Sequence, residues 1–345
     1  MLDILLVNLY PLVREMTFAR PRHFFMTIFI KIIAFRERKK IFKKPKINKF
    51  NFILDSSLFS NRYGDFFYSC FLCRFMLKSG RKIKFIFILD KKIVSKSMLK
   101  EYKDIFLTLL NKFDIQFEIR EKNSFDPKNI KNKLFSNFVD NGLPIYEFIY
   151  QLISNIYLFS RLKNSEEFFL TSSDLYKKEF KKYIIKENKY ITLPCRFDNE
   201  IGINRNLKKN EFYSLLEVIR NNFPKEKIIV VSDINGCNYF KKIQSTKFDN
   251  IIYSKDIYPE NSFLFDAYLI LRSSLLIKLR GGGITVPSLF SEIPYFISSI
   301  NRTSLRISKN KLTPWSLKNK NQFFYRSETL NLPLLNKFLI DLNKG

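Results

Sequence analysis

The chain of 345 residues has a formal net charge of +28 at pH 7, and 46% of its residues are hydrophobic. This apolar content includes 38 Phe residues, excludes wholesale disorder and supports a core large enough for two domains. The charge favours a polyanionic partner: nucleic acid, an anionic membrane or a phosphorylated substrate. A Lys-rich composition from an AT-rich genome would produce the same charge. Because the Lys residues are spread along the chain and no nucleic-acid-binding signature occurs, we expect no specific nucleic acid as partner.

Histidine and cysteine usage narrows the possible chemistry. The one histidine, His23, argues against Ser-His-Asp or Cys-His hydrolases and against His-rich metal sites, which leaves Asp or Glu as a general base. Cys70 and Cys73 form a C-x-x-C motif inside an apolar run, and no second pair exists to complete a zinc site. We therefore expect these two thiols to pack in the core. The cysteine usage also fits a reducing, cytoplasmic compartment.

Residues 1–50 form an apolar and basic N-terminal segment. The apolar runs 1–13 and 24–35 are each too short to cross a bilayer, and the basic run 36–49 follows them. An apolar segment beside a basic cluster binds the surface of an anionic membrane. A packed helix with a solvated basic linker is the alternative, and the sequence leaves both open.

Residues 51–170 are predicted to form the first domain, in which strands and helices alternate. The predicted strands are 51–55, 82–89 and 114–120, and the predicted helices are 65–80, 97–113 and most of 125–163, with a buried helix at 143–162. Gly80 is a plausible C-cap for the first of these helices. Such an alternation indicates a parallel sheet with helices on its faces.

Residues 171–345 are predicted to form the second domain. The predicted strands are 189–196, 226–233, 250–253, 275–280 and 294–299, and the predicted helices are 208–223, 235–243, 262–274, 284–293 and 332–342. Five alternating strands are typical of a doubly wound sheet. The fold expected for the whole chain is α/β, with two doubly wound Rossmann-like domains that face a cleft. Ligands of such sheets bind outside the carboxyl ends of the strands.

The segment RGGGITVPSL (280–289) contains three of the nine glycines, between a predicted strand and a predicted helix. Gly281, Gly282 and Gly283 would let a phosphate approach the backbone N–H groups at the start of that helix. Thr285 is suited to cap the helix or to bond a phosphate oxygen, and Arg280 adds a charge. This pattern predicts a diphosphate site. A tight strand–helix turn is the alternative.

Two further strand ends of the second domain carry candidate ligands. The segment PCRFDNEIGINRN (194–206) contains Arg196 and Arg205, which suit bidentate phosphate contacts, and Asn206 just before the next helix. The strand 226–233 ends in Asp233, which would contact a nucleotide ribose or base, or would cap a helix. Both roles of Asp233 remain open.

In the first domain, the loop after the first strand carries Arg62, Gly64 and Asp65. These residues are candidates for acceptor binding and catalysis. Asp65 is either the N-cap of the following helix or the base that deprotonates an acceptor hydroxyl.

Three stretches of the sequence resemble the GT-B superfamily of nucleotide-sugar glycosyltransferases. SNRYGDFFYSCFLCRFMLKSG (60–80) is similar to the R-x-G-D loop and helix that open the acceptor domain of heptosyltransferase-like enzymes. ITLPCRFDNE (191–200) resembles the strand and loop of fucosyltransferase-like enzymes, whose Arg binds the donor diphosphate. RGGGITVPSLFSEIPYF (280–296) resembles the late Gly-rich loop that holds the donor. The resemblance implies the diphosphate role for Arg196.

The sequence also departs from the fucosyltransferase-like pattern. The His that often precedes the Arg motif is absent, since Pro194 and Cys195 stand there, although the acidic Asp198 is retained. We therefore keep the resemblance to the superfamily and make no prediction of the donor sugar.

The resemblance implies a metal-independent glycosyltransferase for hexosyl, deoxyhexosyl or heptosyl transfer. It would move a sugar from a nucleoside-diphosphate donor, which is a co-substrate and not a cofactor, to a glycan or lipid-linked acceptor in bacterial surface-polysaccharide or lipopolysaccharide biosynthesis. The expected location is cytoplasmic, with peripheral binding to the inner membrane as a further expectation. Two alternatives stay open: a non-catalytic protein that binds nucleic acid or anionic membranes on a transferase-like scaffold, and a nucleotide-sugar epimerase.

Overall fold

A computed structural model describes residues 49–56, 63–78, 82–110, 113, 115–124, 133–134, 169–183, 189–195, 197, 206–244, 248–279, 284, 287–299, 307–310, 321–326 and 331–344. The backbone alone is described for residues 49, 65, 68, 75, 133–134, 299, 307–310 and 324–326. The chain forms two compact units, Met1–Phe168 and Phe169–Gly345.

The first unit contains a parallel sheet. Its helices and strands are β1 (Lys49–Asp55), α1 (Tyr63–Lys78), β2 (Lys82–Leu89), α2 (Lys96–Leu110), β3 (Phe117–Glu121) and β4 (Lys133–Leu134). The strands lie in the order β3-β2-β1-β4, and all neighbours are parallel. Strand β1 is therefore central, because the chain adds β2 and β3 on one side and β4 on the other. The predicted elements up to β3 are confirmed, and their ends shift by a few residues.

Aromatic side chains form the core of this unit. Phe66 of α1 packs against Tyr102 of α2 with ring centroids 4.6 Å apart, and Phe106 of α2 packs against Phe117 of β3 at 4.5 Å. Phe85 of β2 contacts Phe66 and Phe106 at 5.8 and 5.3 Å. Ring pairs at such separations contribute about 0.5–1.5 kcal/mol each beyond the burial of their area. Phe side chains therefore supply much of the core between these two helices and the sheet.

The second unit is a larger α/β sheet. Its helices and strands are β5 (Tyr190–Pro194), α3 (Lys209–Asn222), β6 (Lys227–Val231), α4 (Ile234–Ile243), β7 (Ile251–Tyr253), α5 (Ser254–Ile257), α6 (Phe263–Arg272), β8 (Leu275–Leu279), β9 (Tyr295–Ser299), β10 (Ile307–Asn310), β11 (Gln322–Arg326) and α7 (Leu332–Asn343). Short 3₁₀ helices cover Ser172–Leu175, Lys178–Tyr183 and Pro287–Phe290. The strand order is β10-β11-β9-β8-β5-β6-β7, and β10 with β11 is the antiparallel pair of this sheet. The predicted α/β fold with parallel sheets is confirmed.

One face of this sheet is covered by α3, α4 and α7. Phe212 and Leu216 of α3, Phe240 of α4, and Leu335 and Phe338 of α7 belong to one core with side chains of β5, β6 and β8. All five are buried. The core residues of α3 and α7 recur at three- and four-residue intervals, which is the spacing of one helix face.

Helix α6 covers the opposite face. Its residues 263–270 are buried, and the Tyr190 hydroxyl of β5 donates to the Leu269 carbonyl at 2.8 Å. Tyr190 and Thr192 lie on the face opposite Ile191, because side chains alternate along a strand, and Ile191 belongs to the core beneath α3. The residues of β5 thus divide between two helical layers, which is the arrangement of a doubly wound sheet.

The predicted helix 284–293 is wrong. Among its described residues, Pro287–Phe290 forms a single 3₁₀ turn, and the chain then runs irregularly into β9. Pro294 disfavours helical conformation in the residue before it, so little room remains for an α-helix after Pro287. Gln322 of β11 donates to the Ser291 carbonyl at 2.7 Å and holds the end of the turn.

Some described elements were not predicted, and some predicted elements lie outside the described residues. Residues 133–134 form strand β4 within 125–163, which was predicted to be mainly helical. The predicted helix 143–162, Gly80 and the segment 1–48 lie outside the described residues. Sequence analysis did not predict α5, β10 or β11. Within the described part of the chain, no helix is long and apolar enough to cross a membrane.

Candidate functional site

The strand order of the second unit reverses between β5 and β8. After β5 the chain adds β6 and β7 on one side, and it then returns to add β8 and β9 on the other. Strands β5 and β8 are paired in parallel, with Ile191 opposite Leu275, so their carboxyl ends lie at the same edge. In open α/β sheets, ligands bind outside the carboxyl ends at such a reversal. The predicted donor ligands Arg196 and Arg280 belong to the segments that follow these two strands.

Most of the predicted site residues lie outside the described residues. They are Arg62, Arg196, Arg205, Arg280, Gly281, Gly282, Gly283 and Thr285. The structure describes Gly64, Asn206, Asp233 and the backbone of Asp65. The diphosphate contacts therefore stay predictions.

Asp233 caps helix α4. Its Oδ1 accepts a hydrogen bond from the Gly236 N–H at 2.7 Å, and its side chain is exposed. Asn261 Oδ1 accepts from the Ile234 N–H at 3.0 Å. The chain's own side chains thus bind two first-turn N–H groups that a bound anion would otherwise use. Of the two roles left open for Asp233, the structure shows the helix cap, and contact with a ribose or base stays a prediction.

Gly236 allows α4 to begin close to the end of β6. A Cβ atom at this position would lie 2.0 Å from Ser232 Oγ and 2.9 Å from Ser232 Cβ. Ser232 is itself tied to the residue after β7, since Ser254 Oγ donates to its carbonyl at 3.3 Å. A side chain at 236 would therefore require Ser232 or the start of α4 to shift.

A buried ion pair holds the loop between α5 and α6. Lys255 Nζ lies 3.0 Å from both carboxylate oxygens of Asp266 and donates to the Glu260 carbonyl at 3.2 Å. The two side chains are 4% and 10% exposed. The residue after Glu260 is Asn261, whose Oδ1 accepts from the Ile234 N–H at the start of α4. The ion pair therefore fixes the loop that covers the start of α4.

Asn206 lies just before α3. It is half-buried and takes part in an interaction within the folded chain, and the next residue, Leu207, is buried in the core. The first turn of α3 is capped locally, since the Lys208 N–H donates to Glu211 Oε2 at 2.9 Å. Asn206 thus stands at the predicted place, and its contact with phosphate stays a prediction.

In the first unit, Asp65 is the third residue of α1, which begins at Tyr63. An N-cap residue precedes the first helical residue, so the predicted N-cap role of Asp65 is wrong. Its role as a base stays a prediction. Gly64 is the buried second residue of the same helix, and its contact with an acceptor likewise stays a prediction.

Sequence analysis did not single out Asp55. It is the last residue of β1 and is 6% exposed. The strand order of the first unit reverses between β1 and β4, so Asp55 stands at the edge where a ligand of this sheet is expected. The next residue, Ser56, is also buried, and its Oγ accepts from the Asp90 N–H at 2.8 Å. The available signal was an acid at the end of the apolar strand NFILD.

Lys278 was also missed. It is the penultimate residue of β8 and is 5% exposed, and the other four residues of the strand are apolar and buried. Lysine is rarely buried to this extent. The available signal was one lysine inside the apolar run LLIKL, two residues before Arg280.

The four cysteines are free and buried. Burial raises the pKa of the Cys70, Cys73 and Cys195 thiols well above the usual value, and it also raises the pKa of Cys237. A thiol nucleophile or metal ligand needs the opposite shift. The expected packing of Cys70 and Cys73 in the core is confirmed. Among the described residues, no group of three or more His, Cys, Asp and Glu side chains is placed to hold a metal ion.

A cavity of about 560 Å³ lies elsewhere in the second unit. Its lining residues are Glu217, Arg220, Asn221, Pro224, Phe248, Asp249 and Asn250. The Arg220 guanidinium donates to the carbonyls of Glu226 and Asp249, in the loops that lead into β6 and β7, and burial lowers its pKa. This cavity is therefore at the amino edge of the sheet, opposite the carboxyl ends, and Arg220 braces the two loops.

No protein-family model matches the chain, and no curated protein matches it. The chain is similar to several solved structures. Against E. coli heptosyltransferase WaaC with ADP, the identity is 10% and the TM-score 0.45, over 85% of this chain and 99% of that chain. Against E. coli ADP-heptose lps heptosyltransferase II, the identity is 8% and the TM-score 0.42, over 85% of this chain and 99% of that chain. Against Methanocaldococcus jannaschii UDP-GlcNAc 2-epimerase in complex with UDP-GlcNAc and UDP, the identity is 11% and the TM-score 0.35, over 86% of this chain and 93% of that chain. The similar structures thus include two heptosyltransferases and a nucleotide-sugar epimerase.

Proposed function

We propose that the chain is a GT-B-type glycosyltransferase. It transfers a sugar from a nucleoside diphosphate to a hydroxyl of a glycan or lipid-linked acceptor in the assembly of surface polysaccharide or lipopolysaccharide. The observation that best supports this proposal is the order reversal between β5 and β8, because both strands lead into segments rich in the residue types that bind diphosphates. The net charge of +28 suits an anionic donor.

On the donor side, Arg196, Arg205 and Arg280 are proposed to bind the diphosphate, with Gly281–Gly283 allowing the backbone to approach it closely. These cations would stabilise the charge that develops on the leaving diphosphate, so the scheme needs no metal ion. The described turn Pro287–Phe290 is a single 3₁₀ turn. We therefore drop the helix dipole from the proposal and assign the charge stabilisation to side chains.

On the acceptor side, one carboxylate of the first unit is proposed to remove the proton of the acceptor hydroxyl. Asp65 is the candidate from the R-x-G-D resemblance. Asp55 is the candidate from the structure, since it is buried at the carboxyl end of β1. Arg62 and Gly64 are proposed to contact the acceptor beside them.

The test is binding of GDP, UDP, dTDP, ADP and CMP to the purified chain at two salt concentrations. Arg196→Ala removes a proposed ligand, and Lys225→Ala removes one exposed charge at the amino edge of the same sheet as a matched control. We expect selective binding of one nucleoside diphosphate, lost in Arg196→Ala and kept in Lys225→Ala.

Equal binding of all five nucleotides, steeply weakened by salt and equal in both variants, would contradict the donor site and indicate the polyanion-binding alternative. Turnover of the donor sugar without any acceptor would indicate the epimerase alternative.

A further inference from the structure

Helix α2 of the first unit presents a basic face to solvent. Lys96, Lys100, Lys103 and Leu107 form one row along the helix, because residues three and four positions apart are neighbours on a helix surface. All four are exposed, and Leu107, at 56%, is the most exposed of the large hydrophobic residues that the structure describes. We call these four residues the basic face of α2. The buried residues of the helix are Tyr102, Ile105, Phe106, Leu109 and Leu110.

The row of lysines does not serve the stability of the helix. Like charges three or four residues apart repel one another, and Lys96 stands in the first turn, where the positive end of the helix dipole disfavours a cation. The first turn contains no acid and the last turn contains no base, so neither end has the stabilising charge. The start of the helix is capped by Ser95 instead, whose Oγ accepts from the Met98 N–H at 3.3 Å. The row therefore calls for a reason outside the helix.

The charges of this face are available to a partner. Within the part of the chain that the structure describes, the three lysines take part in no ion pair. The acids of α2 are Glu101 and Asp104, which are half-buried and take part in interactions within the folded chain. The exposed row itself is therefore positively charged, and it complements an anionic surface.

The form of the row favours a lipid bilayer as that surface. Residues 96–107 extend over about 16 Å along the helix axis, so the row is long enough to contact several lipid headgroups at once. Each lysine near an anionic bilayer strengthens binding about fivefold. Leu107 continues the same row, and an apolar side chain finds a place at the boundary between headgroups and acyl chains. The backbone of a nucleic acid offers Leu107 no comparable apolar contact.

We propose that the basic face of α2 docks the protein on an anionic bilayer, with the helix axis parallel to the membrane surface. This inference goes beyond the proposed function, because it concerns a surface of the first unit and requires no nucleotide site. Docking through α2 brings the unit that is proposed to bind the acceptor to the membrane in which a lipid-linked acceptor is held.

The experiment measures co-sedimentation of the full chain with vesicles of phosphatidylglycerol and phosphatidylcholine in equal parts, and with vesicles of phosphatidylcholine alone, at two salt concentrations. Replacing the three lysines of the basic face with Gln removes its charge. Lys178→Gln/Lys181→Gln/Lys182→Gln removes three exposed lysines of the second unit and is the matched control. Leu107→Trp reports by fluorescence on the end of the row, with the wild type, which has one Trp, as background. Circular dichroism establishes that the variants are folded.

We expect the wild type to bind the anionic vesicles, to dissociate at the higher salt concentration and not to bind phosphatidylcholine alone. The variant of the basic face should bind about a hundredfold more weakly, since three lysines are lost, and the control should bind nearly like the wild type. Emission of Leu107→Trp should shift to shorter wavelength when the vesicles bind.

Four outcomes would overturn the inference. They are a wild type that does not bind anionic vesicles, wild-type affinity in the variant of the basic face, an equal loss in this variant and the control, and an unshifted emission of vesicle-bound Leu107→Trp. Tighter binding of duplex DNA than of vesicles at the same salt concentration, weakened in the variant of the basic face, would also overturn it and would identify nucleic acid as the partner. The nucleotide titration tests the proposed function separately, so either can fail without the other.

Discussion

Replacing Asp266 with Asn should destabilise the second unit strongly. The substitution removes the anion from Lys255, whose side chain is 4% exposed and whose Nζ lies 3.0 Å from both carboxylate oxygens. The Glu260 carbonyl at 3.2 Å would remain as an acceptor, but a carbonyl does not neutralise the charge. Removing one partner of a buried ion pair lowers the free energy of unfolding by about 3–5 kcal/mol. Lys255→Met should lower it by a similar amount, because the carboxylate of Asp266 then stays buried without its cation.

The double variant Lys255→Met/Asp266→Leu should behave differently from either single variant. It leaves no buried charge, so its free energy of unfolding should lie within about 1 kcal/mol of the wild type or above it. Urea denaturation followed by circular dichroism measures all three variants and the coupling energy between the two sites.

The surface pair Lys241–Asp256 provides the matched control. Its side chains are 39% and 47% exposed, and Asp256→Asn should cost about 0–1 kcal/mol. The reasoning would be refuted if Asp266→Asn cost no more than Asp256→Asn, or if the double variant were less stable than both single variants.

Three further changes have definite expected outcomes. Gly236→Ala should lower the free energy of unfolding by about 1–3 kcal/mol, because the new Cβ would lie 2.0 Å from Ser232 Oγ. Adding Ser232→Gly should restore part of this stability. An unchanged midpoint of thermal denaturation in Gly236→Ala would contradict the prediction. A hydrogen bond from Lys84 holds the pKa of Glu118 below its usual value of 4.5, so its contribution to stability is present above that pH and is lost as the pH falls through the folded-state pKa. The free energy of unfolding from urea titrations should therefore decrease below about pH 4.5 in the wild type and decrease less in Glu118→Gln; equal pH dependence would count against it. Finally, Asn at the proposed base, Asp55 or Asp65, should lower kcat about 10²–10⁴-fold with nucleotide affinity unchanged, and full activity in both variants would place the base outside this pair.

Much of the α/β alternation could be predicted because the strands are continuous apolar runs. KIKFIFIL became β2 with the predicted bounds, since a parallel strand covered by helices buries nearly every residue. The helix predicted at 208–223 is α3, and its buried residues Phe212, Leu215, Leu216 and Ile219 belong to the core. Local pattern was sufficient in both cases because local packing decides the structure there.

Local pattern failed where distant parts of the chain decide the structure. The turn at Pro287–Phe290 is held by Gln322, which belongs to a strand that sequence analysis did not predict. The N-cap role that was left open for Asp65 is wrong because α1 begins two residues before it, and helix ends are less certain in sequence than helix centres.

The candidate phosphate site rests on residue types read from the sequence, and the sheet order adds the one geometric argument for it. The arginines and glycines after two strands indicated phosphate binding, but the sheet order was needed to show that these strands, β5 and β8, are neighbours at the reversal. Asp55 and Lys278 were missed because each belongs to a strand that was examined only as an apolar run. A charged residue within such a run, near its carboxyl end, is the signal that would have found both.

The described contacts also argue for one half of the carboxyl edge of the second sheet over the other. Beside β6 and β7, the start of α4 is covered by Asp233 and Asn261, and the ion pair of Lys255 holds the loop that carries Asn261. Turning these side chains toward a ligand would be unfavourable, because each move would leave a helix N–H group or a buried charge without compensation. The segments that follow β5 and β8, by contrast, carry the arginines that are proposed to bind the diphosphate. We therefore expect a phosphate ligand of this sheet to bind on the β5–β8 half, while the contacts at the start of α4 stay unchanged.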